Sequence, residues 1–158
     1  MSDFEFMQEA CKEAQRNVDV GFQEGGPFGA VIVKDGEIIA RGKNNVLAHH
    51  DATAHAEVSA IREAGRVLGT HDLSGCTLYT SCYPCPMCLS AIIWSNIKEV
   101  YYGNTKEDAA AIGFRDDFIY EVLGGRSDLA TLMKLEPLGR EHAIGAFDSF
   151  RELSGELY

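Results

Sequence analysis

The feature that most constrains this fold is a pair of short segments far apart in the sequence, His55-Ala56-Glu57 and Pro84-Cys85-Pro86-Met87-Cys88. Each segment is predicted to lie at the start of a helix, with Pro86 in the first helical position. Cys85 and Cys88 then lie about one helical turn apart, so both sulfur atoms can reach one metal ion. With His55 as a third ligand, the chain must fold with these two helix starts close together.

The ligand types indicate which metal binds and what it does. Imidazole and thiolate groups favour zinc, which takes them in a tetrahedron. Three protein ligands leave one vertex for water, as in catalytic sites, and zinc lowers the pKa of that water toward about 7. Glu57 is not needed as a ligand, so it can take a proton from the water and deliver it to a leaving amine. The order H-x-E, then P-C-x-x-C, is the signature of zinc-dependent nucleobase deaminases.

A second interpretation of the same residues stays open at this point. Cys82, Cys85, Cys88 and His55 together would form a closed Cys₃His tetrahedron, which is typical of structural zinc. The protein would then be a zinc-binding interaction module without catalysis. A structural site has no use for Glu57, however, and substitution of that residue would discriminate between the two interpretations.

Hydrophobic periodicity predicts helices and strands in alternation. Helices are predicted at residues 4–20, 54–68, 86–94, 105–112 and 146–153. Strands are predicted at residues 28–34, 37–42, 76–80, 97–102 and 131–138, with a polar loop at 44–53. Asp35-Gly36 predicts a hairpin between the first two strands. The predicted fold class is α/β, a three-layer α/β/α sandwich around a mixed five-stranded sheet.

Length and charge exclude several classes of protein. The 158 residues suit a single domain. Lys and Arg number 14 against 24 Asp and Glu, and the formal net charge is −10. Because nucleic-acid affinity comes largely from basic residues that neutralise phosphates, no nucleic-acid partner is expected. No apolar run is long enough for a membrane span, and five cysteines without an export signal favour the reducing cytoplasm.

Beyond the ligand pattern, the chain resembles the cytidine deaminase-like superfamily over nearly its whole length. The most specific segments are residues 25–33, 44–46, 53–57 and 79–82. Within the superfamily it is most similar to the bacterial guanine deaminases, through Gly113-Phe114, Asp116, Phe118-Ile119-Tyr120, Glu141-His142 and a chain end at Tyr158. Tyr83 departs from the pattern, which has an acidic residue before Pro84.

The resemblance implies roles for particular residues. One zinc ion per subunit would be bound by His55, Cys85 and Cys88, and Glu57 would move protons. The implied substrate contacts are Phe28, which packs on the flat base, Asn44, the Ala56 backbone, Trp94, Asp116, Glu141 and Tyr158. Asp116 and Glu141 would engage the polar edge of a purine, although Asp116 alone would otherwise be assigned to a solvated turn.

The function implied is the zinc-dependent hydrolytic deamination of guanine to xanthine and ammonia, in purine salvage or catabolism. One alternative is a deaminase of another small base or nucleoside, such as cytosine or guanosine. Another is a tRNA adenosine deaminase, which the acidic composition disfavours. The resemblance also implies a homodimer in which the C-terminal segment, about residues 120–158, is exchanged between subunits.

Overall fold

The computed structural model describes residues 1–126 and 128–158. Within them the chain forms two compact units, Met1–Tyr120 and Glu121–Tyr158. The helices are α1 (Asp3–Asp19), α2 (Val46–His49), α3 (Ala56–Leu68), α4 (Pro86–Trp94), α5 (Lys106–Ala111), α6 (Asp116–Leu123) and α7 (Arg140–Glu152). The strands are β1 (Gly29–Lys34), β2 (Glu37–Lys43), β3 (Thr77–Cys82) and β4 (Glu99–Asn104). In this described part, no helix combines the length and hydrophobicity that a bilayer crossing requires.

The four strands form one mixed sheet in the order β2-β1-β3-β4. Strand β1 pairs antiparallel with β2 and with β3, whereas β3 and β4 are parallel. Asp35 and Gly36 join the first two strands with φ values of 50° and 77°, and a two-residue type I′ turn requires positive φ at both positions. The predicted α/β class, the mixed sheet and its opening hairpin are confirmed.

The predicted fifth strand at residues 131–138 is wrong. Across the described residues the sheet has four strands, and this segment begins at the end of a 3₁₀ helix (Leu129–Thr131) and continues as irregular backbone. A strand needs a neighbour for its backbone groups, and Pro137 has no N–H to donate to one. Leu135 is 72% exposed, so the segment also lacks a buried face.

Helices cover both faces of the sheet within the first unit, as a three-layer sandwich requires. On one face α1 buries Phe6 and Ala10 against Val31 of the sheet. On the other face lie α3 and α4, where Ile92 belongs to the core cluster that includes Ile32. The central strand β1 is therefore buried on both sides.

The close approach of α3 to β2 depends on Gly42. A Cβ atom at Gly42 would lie 2.4 Å from the Ala56 carbonyl oxygen and 2.6 Å from the Ala60 nitrogen, so no side chain fits between helix and strand. Because α3 begins at Ala56, this contact fixes how close His55 and Glu57 lie to the sheet.

Three helices differ from the predictions made from sequence. Helix α2 lies within the predicted polar loop, and α7 begins at Arg140, directly after Gly139 and earlier than expected. Helix α6 takes the place of the solvated turn around Asp116. Asp116 and Asp117 occupy its first turn, where carboxylates interact favourably with the helix dipole.

Candidate metal and substrate site

Two helix starts bring three potential metal ligands together. His55 is the N-cap of α3 and Cys85 the N-cap of α4, each with extended backbone. Cys88 follows on the first turn of α4. The ligand atoms of these three residues lie within 4.8 Å of one another, and both sulfur atoms are 3.5 Å from His55 Nδ1. The sequence prediction that the two segments meet is matched by this placement.

The donor set fits zinc in chemistry and in spacing. Sulfur and nitrogen ligands bonded to zinc at about 2.3 and 2.1 Å, at a tetrahedral angle, lie about 3.6 Å apart. Each sulfur atom is 3.5 Å from His55 Nδ1, which is close to this separation. The neighbouring Cys88 thiol lowers the pKa of Cys85 and favours its thiolate, whereas the same pairing and burial raise the pKa of Cys88, so zinc binding would have to displace the Cys88 proton. The helix starts also place positive dipole ends beside the sulfur atoms.

Cys82 lies near this group but is not part of it. Its Sγ atom is 3.6 Å from the Thr105 carbonyl oxygen, to which the thiol donates. Burial, reinforced by the neighbouring carboxylates, raises the pKa of Cys82 to about 12, so the thiol stays protonated. The three-residue group found among the described residues therefore leaves an open ligand position, as catalytic zinc sites do.

Glu57 lines the same pocket as His55 and Cys85. Residues two apart do not share a helix face, but His55 precedes α3 in extended conformation whereas Glu57 is within its first turn. The chain thus wraps around the helix start, and both side chains reach the pocket. Burial raises the pKa of Glu57 to about 7, a value suited to a group that accepts and releases a proton near neutral pH.

The pocket beside the three ligands is small and partly aromatic. It is lined by Phe28, Asn44, His55, Glu57, Cys82, Tyr83, Cys85, Phe114 and Asp116. The rings of Phe28 and Phe114 pack edge to face with centroids 4.9 Å apart. A wider cleft of about 570 Å³ shares Asn44, His55 and Phe114 with it. A flat molecule can therefore place its reacting end in the pocket and its remainder in the cleft.

Asn44 is held so that its amide N–H groups are available to a ligand. Its backbone N–H donates to the Phe28 carbonyl at 3.1 Å, and its Oδ1 accepts from the Val46 N–H at 3.1 Å. In the part of the chain that is described, Nδ2 has no acceptor, and Asn44 lines the pocket. The side chain can therefore donate to an acceptor atom of a bound ligand.

A buried polar network behind the pocket was missed by sequence analysis. The Asn17 amide nitrogen donates to the carbonyls of Gly26 at 2.7 Å and Asn44 at 2.8 Å, while its oxygen accepts from Lys43 Nζ at 2.9 Å. Lys43 also donates to Glu24 at 2.8 Å. The sequence offers little signal for this network, because Asn17 shares the buried face of α1 with another polar residue, Glu13; only burial shows that the Asn17 side chain needs partners. Tyr83 and Phe114 were also assigned no role, yet both line the pocket.

Substitution of Gly25 by alanine is expected to weaken substrate binding. A Cβ atom there would lie 2.3 Å from Asn44 Oδ1 and 2.4 Å from the Asn44 carbonyl oxygen. Since that contact is impossible, Asn44 must move, and the expected result is a rise in KM of about tenfold or more, equivalent to roughly one lost hydrogen bond. Steady-state kinetics measure this effect. An unchanged KM in Gly25→Ala would contradict the role of Asn44.

Asp116 and Ala56 both lie near the three ligands, and their roles in substrate binding stay predictions. The Asp116 side chain lines the pocket from the first turn of α6, and burial, followed by the charge of Cys85, raises its pKa. Ala56 is the first residue of α3, so its N–H has no acceptor within the helix. Of the two, Asp116 is in contact with the cavity, whereas Ala56 is fully buried and is not among the described residues that line it.

Trp94 does not line the pocket of its own chain. It is the last residue of α4, about 13 Å along the helix from Cys85, and is 64% exposed. The implied contact between Trp94 and the substrate therefore stays a prediction. Glu141 and Tyr158 belong to the second unit, at the start of α7 and at the chain end, and both are exposed. Their roles stay predictions.

The chain is similar to known deaminases in sequence and in structure. Residues 1–104 match the family described as the cytidine and deoxycytidylate deaminase zinc-binding region. The guanine deaminase of Bacillus subtilis (strain 168) is 47% identical over 151 residues, which cover 96% of this chain and 95% of that protein. The X-ray structure of guanine deaminase from B. subtilis superimposes with a TM-score of 0.90 at 46% identity, covering 100% of this chain and 99% of that one. The tRNA-specific adenosine deaminase of Aquifex aeolicus (strain VF5) is 46% identical over 97 residues, 61% of this chain and 62% of that protein.

Proposed function

This chain belongs to the cytidine and deoxycytidylate deaminase family, and we propose that it catalyses the zinc-dependent hydrolysis of guanine to xanthine and ammonia. The observation that carries the proposal is the pocket in which Glu57 lies beside His55 and Cys85, with Phe28, Asn44 and Asp116 around them. A proton-transfer group, a metal site and contacts for a flat polar molecule thus share one cavity. The similarity to guanine deaminase over nearly the full chain supports guanine over other bases.

In the proposed reaction the protein groups hold the metal and move protons. His55, Cys85 and Cys88 would hold zinc, which would supply an acidified water for attack on the carbon that carries the amino group. Glu57 accepts a first proton from that water and passes it to the ring nitrogen. It then takes the second proton, from the hydroxyl left on the carbon, and passes it to the leaving amine. One water is consumed, the carbon–nitrogen bond breaks, a carbonyl forms and ammonia departs. A carboxyl pKa of about 7 suits both halves of this transfer.

Guanine has both the flat faces and the polar edge that this pocket can bind. The Phe28 ring packs against the base, and Phe114 supports that ring from its side. Asn44 Nδ2 donates to a carbonyl oxygen or ring nitrogen, and the Ala56 N–H donates beside it. Asp116 accepts from a ring or amino N–H. Such paired donors and acceptors discriminate strongly between bases, because a wrong base leaves buried groups unpaired.

The test is ammonia release by zinc-loaded protein from guanine, with cytosine, adenine, guanosine and a tRNA anticodon stem-loop as alternatives. Guanine alone is expected to turn over rapidly. Faster release of ammonia from another base or nucleoside would support the zinc-dependent deamination but show that guanine is not the preferred substrate. Release from the RNA alone would favour the tRNA deaminases, which match only about two thirds of this chain.

The proposal includes a homodimer in which residues of the second unit complete the site of the other copy. None of the described residues in 121–126 and 128–158 is buried, although the segment contains Leu138, Phe147, Leu153 and Leu157. Trp94 is exposed on the first unit as well. The exposed apolar side chains of the second unit support burial against a second copy, and exchange of a terminal segment is a known route to dimers. In this arrangement Glu141 and Tyr158 serve the partner's pocket, and Trp94 lies at the subunit contact.

Mixing two inactive variants tests the exchange. If Glu141 serves the site of the other subunit, then Glu57→Gln and Glu141→Gln subunits, unfolded together and refolded, should form mixed dimers with one intact site. Ammonia release is expected to reappear in the mixture and to be absent when each variant is refolded alone. Absence of recovery in mixed dimers, verified by mass, would contradict the exchange.

We place the enzyme in the cytoplasm and in purine metabolism. The five cysteines are unpaired, which suits a reducing compartment, and xanthine formation from guanine is a step in purine breakdown or salvage.

A further inference from the structure

The Tyr120 hydroxyl donates a hydrogen bond to the Pro84 carbonyl at 2.6 Å. This carbonyl belongs to the peptide bond that joins Pro84 to Cys85, a zinc ligand. Burial raises the pKa of Tyr120, so the hydroxyl remains a donor. The contact links α6 directly to the turn that carries the ligand.

The ligand turn, residues 82–85, has few backbone donors of its own. Pro84 has no N–H, and neither does Pro86 directly after Cys85. The Tyr83 N–H donates to the Asn104 carbonyl at 2.8 Å, which fixes the beginning of the turn. The Pro84–Cys85 peptide itself is held from outside by the Tyr120 hydroxyl.

An aromatic cluster holds the Tyr120 ring in place. Tyr83 packs edge to face with Tyr102, at a centroid distance of 4.9 Å, and also contacts Tyr120. Lys106 Nζ lies 4.9 Å from the centre of the Tyr120 ring and 5.7 Å from that of Tyr83, within cation–π range. Among the described residues no carboxylate pairs with Lys106, so its charge interacts chiefly with these two rings.

Helix α6 presents two functional side chains on one face. Asp116 and Tyr120 are four residues apart, one turn along the helix, and both are half-buried. The three residues between them are exposed. Asp116 reaches the pocket and Tyr120 reaches the ligand turn, so the position of one depends on that of the other.

We propose that Tyr120 is a positioning residue that orients Cys85 for zinc through the Pro84 carbonyl, and that α6 thereby couples metal retention to the placement of Asp116. The inference rests on the zinc site of the proposed function and not on the identity of the substrate. Removal of a hydrogen bond that orients a metal ligand typically costs about 10–100-fold in metal affinity or activity.

The test compares Tyr120→Phe with Tyr102→Phe. Both variants keep the ring of the same cluster, but only the first loses a hydrogen bond, since no bond of the Tyr102 hydroxyl is seen in the described structure. Zinc affinity is measured by competition with a chromophoric chelator in the absence of substrate. Tyr120→Phe should bind zinc about tenfold or more weakly, and Tyr102→Phe should match the wild type.

Two further measurements separate positioning from general support of the fold. The melting temperature of the metal-free protein should be similar in the two variants, whereas that of the zinc-loaded protein should fall in Tyr120→Phe only. At saturating zinc, Tyr120→Phe should also raise KM for guanine, while Asp116→Asn should raise KM and keep zinc affinity. Wild-type zinc affinity in Tyr120→Phe, or equal weakening in both tyrosine variants, would overturn the proposal, whatever substrate the enzyme takes.

Discussion

Glu57→Gln is expected to lower the turnover of guanine by roughly 10²–10⁴-fold while zinc binding and the fold are retained. Glutamine has nearly the same shape and can still accept a hydrogen bond, but it cannot carry a proton from water to the leaving amine. Glu57 is 6% exposed, beside His55 and Cys85, so no bulk water replaces it easily. Steady-state release of ammonia and zinc content by mass spectrometry measure the two effects.

A matched control exists on the same helix. Glu63 is a partly exposed residue of α3 whose carboxylate pairs with Arg66. Glu63→Gln should therefore turn over guanine at the wild-type rate. Full activity in Glu57→Gln would exclude the proposed proton transfer, and it would favour a metal site that serves structure alone.

Cys85→Ser is expected to lose zinc, and Cys82→Ser to keep it. Cys85 lies in the three-ligand group, 3.5 Å from His55 Nδ1, so its removal leaves two protein ligands. Replacement of a residue that hydrogen-bonds to a metal ligand typically lowers metal affinity by roughly 10–100-fold. Replacement of the ligand Cys85 itself should lower zinc affinity by more than this. Chelator competition on purified protein gives this affinity.

Cys82→Ser is the matched control because it changes a cysteine of the same turn. A serine hydroxyl can still donate to the Thr105 carbonyl, as the Cys82 thiol does. Equal loss of zinc from both variants would contradict the open three-ligand site and would support the closed Cys₃His alternative, in which Cys82 is the fourth ligand.

The metal site was predictable because its information is local. His55 and Cys85 each directly precede a helix, Pro86 marks the start of α4, and the spacing of the two cysteines fits one turn. Strand β1 was equally clear, since a continuous β-branched run ends at Asp35-Gly36. These features depend on neighbouring residues in sequence, and tertiary packing does not alter them.

Other parts of the site depend on contacts between distant segments. The Asn17 side chain donates to the Asn44 carbonyl, 27 positions away in the sequence, and the Tyr120 hydroxyl donates to the Pro84 carbonyl, 36 positions away. Hydrophobic periodicity reveals neither contact. Asp116 was assigned from resemblance alone, because by itself it suggested a solvated turn. The prediction of a fifth strand was wrong for a related reason. Whether a segment becomes a strand depends on pairing with a neighbour, which amino-acid composition does not reveal. In the described structure, residues 131–138 have no neighbouring strand.

The measurement that tests the central claim most directly is the yield of xanthine and ammonia from guanine before zinc removal, after it and after zinc is restored. We predict equal amounts of the two products from the zinc-loaded protein, none from the stripped protein, and recovery when zinc is added back. Products that persist at full rate without zinc, or no xanthine from protein with its zinc fully bound, would contradict the account.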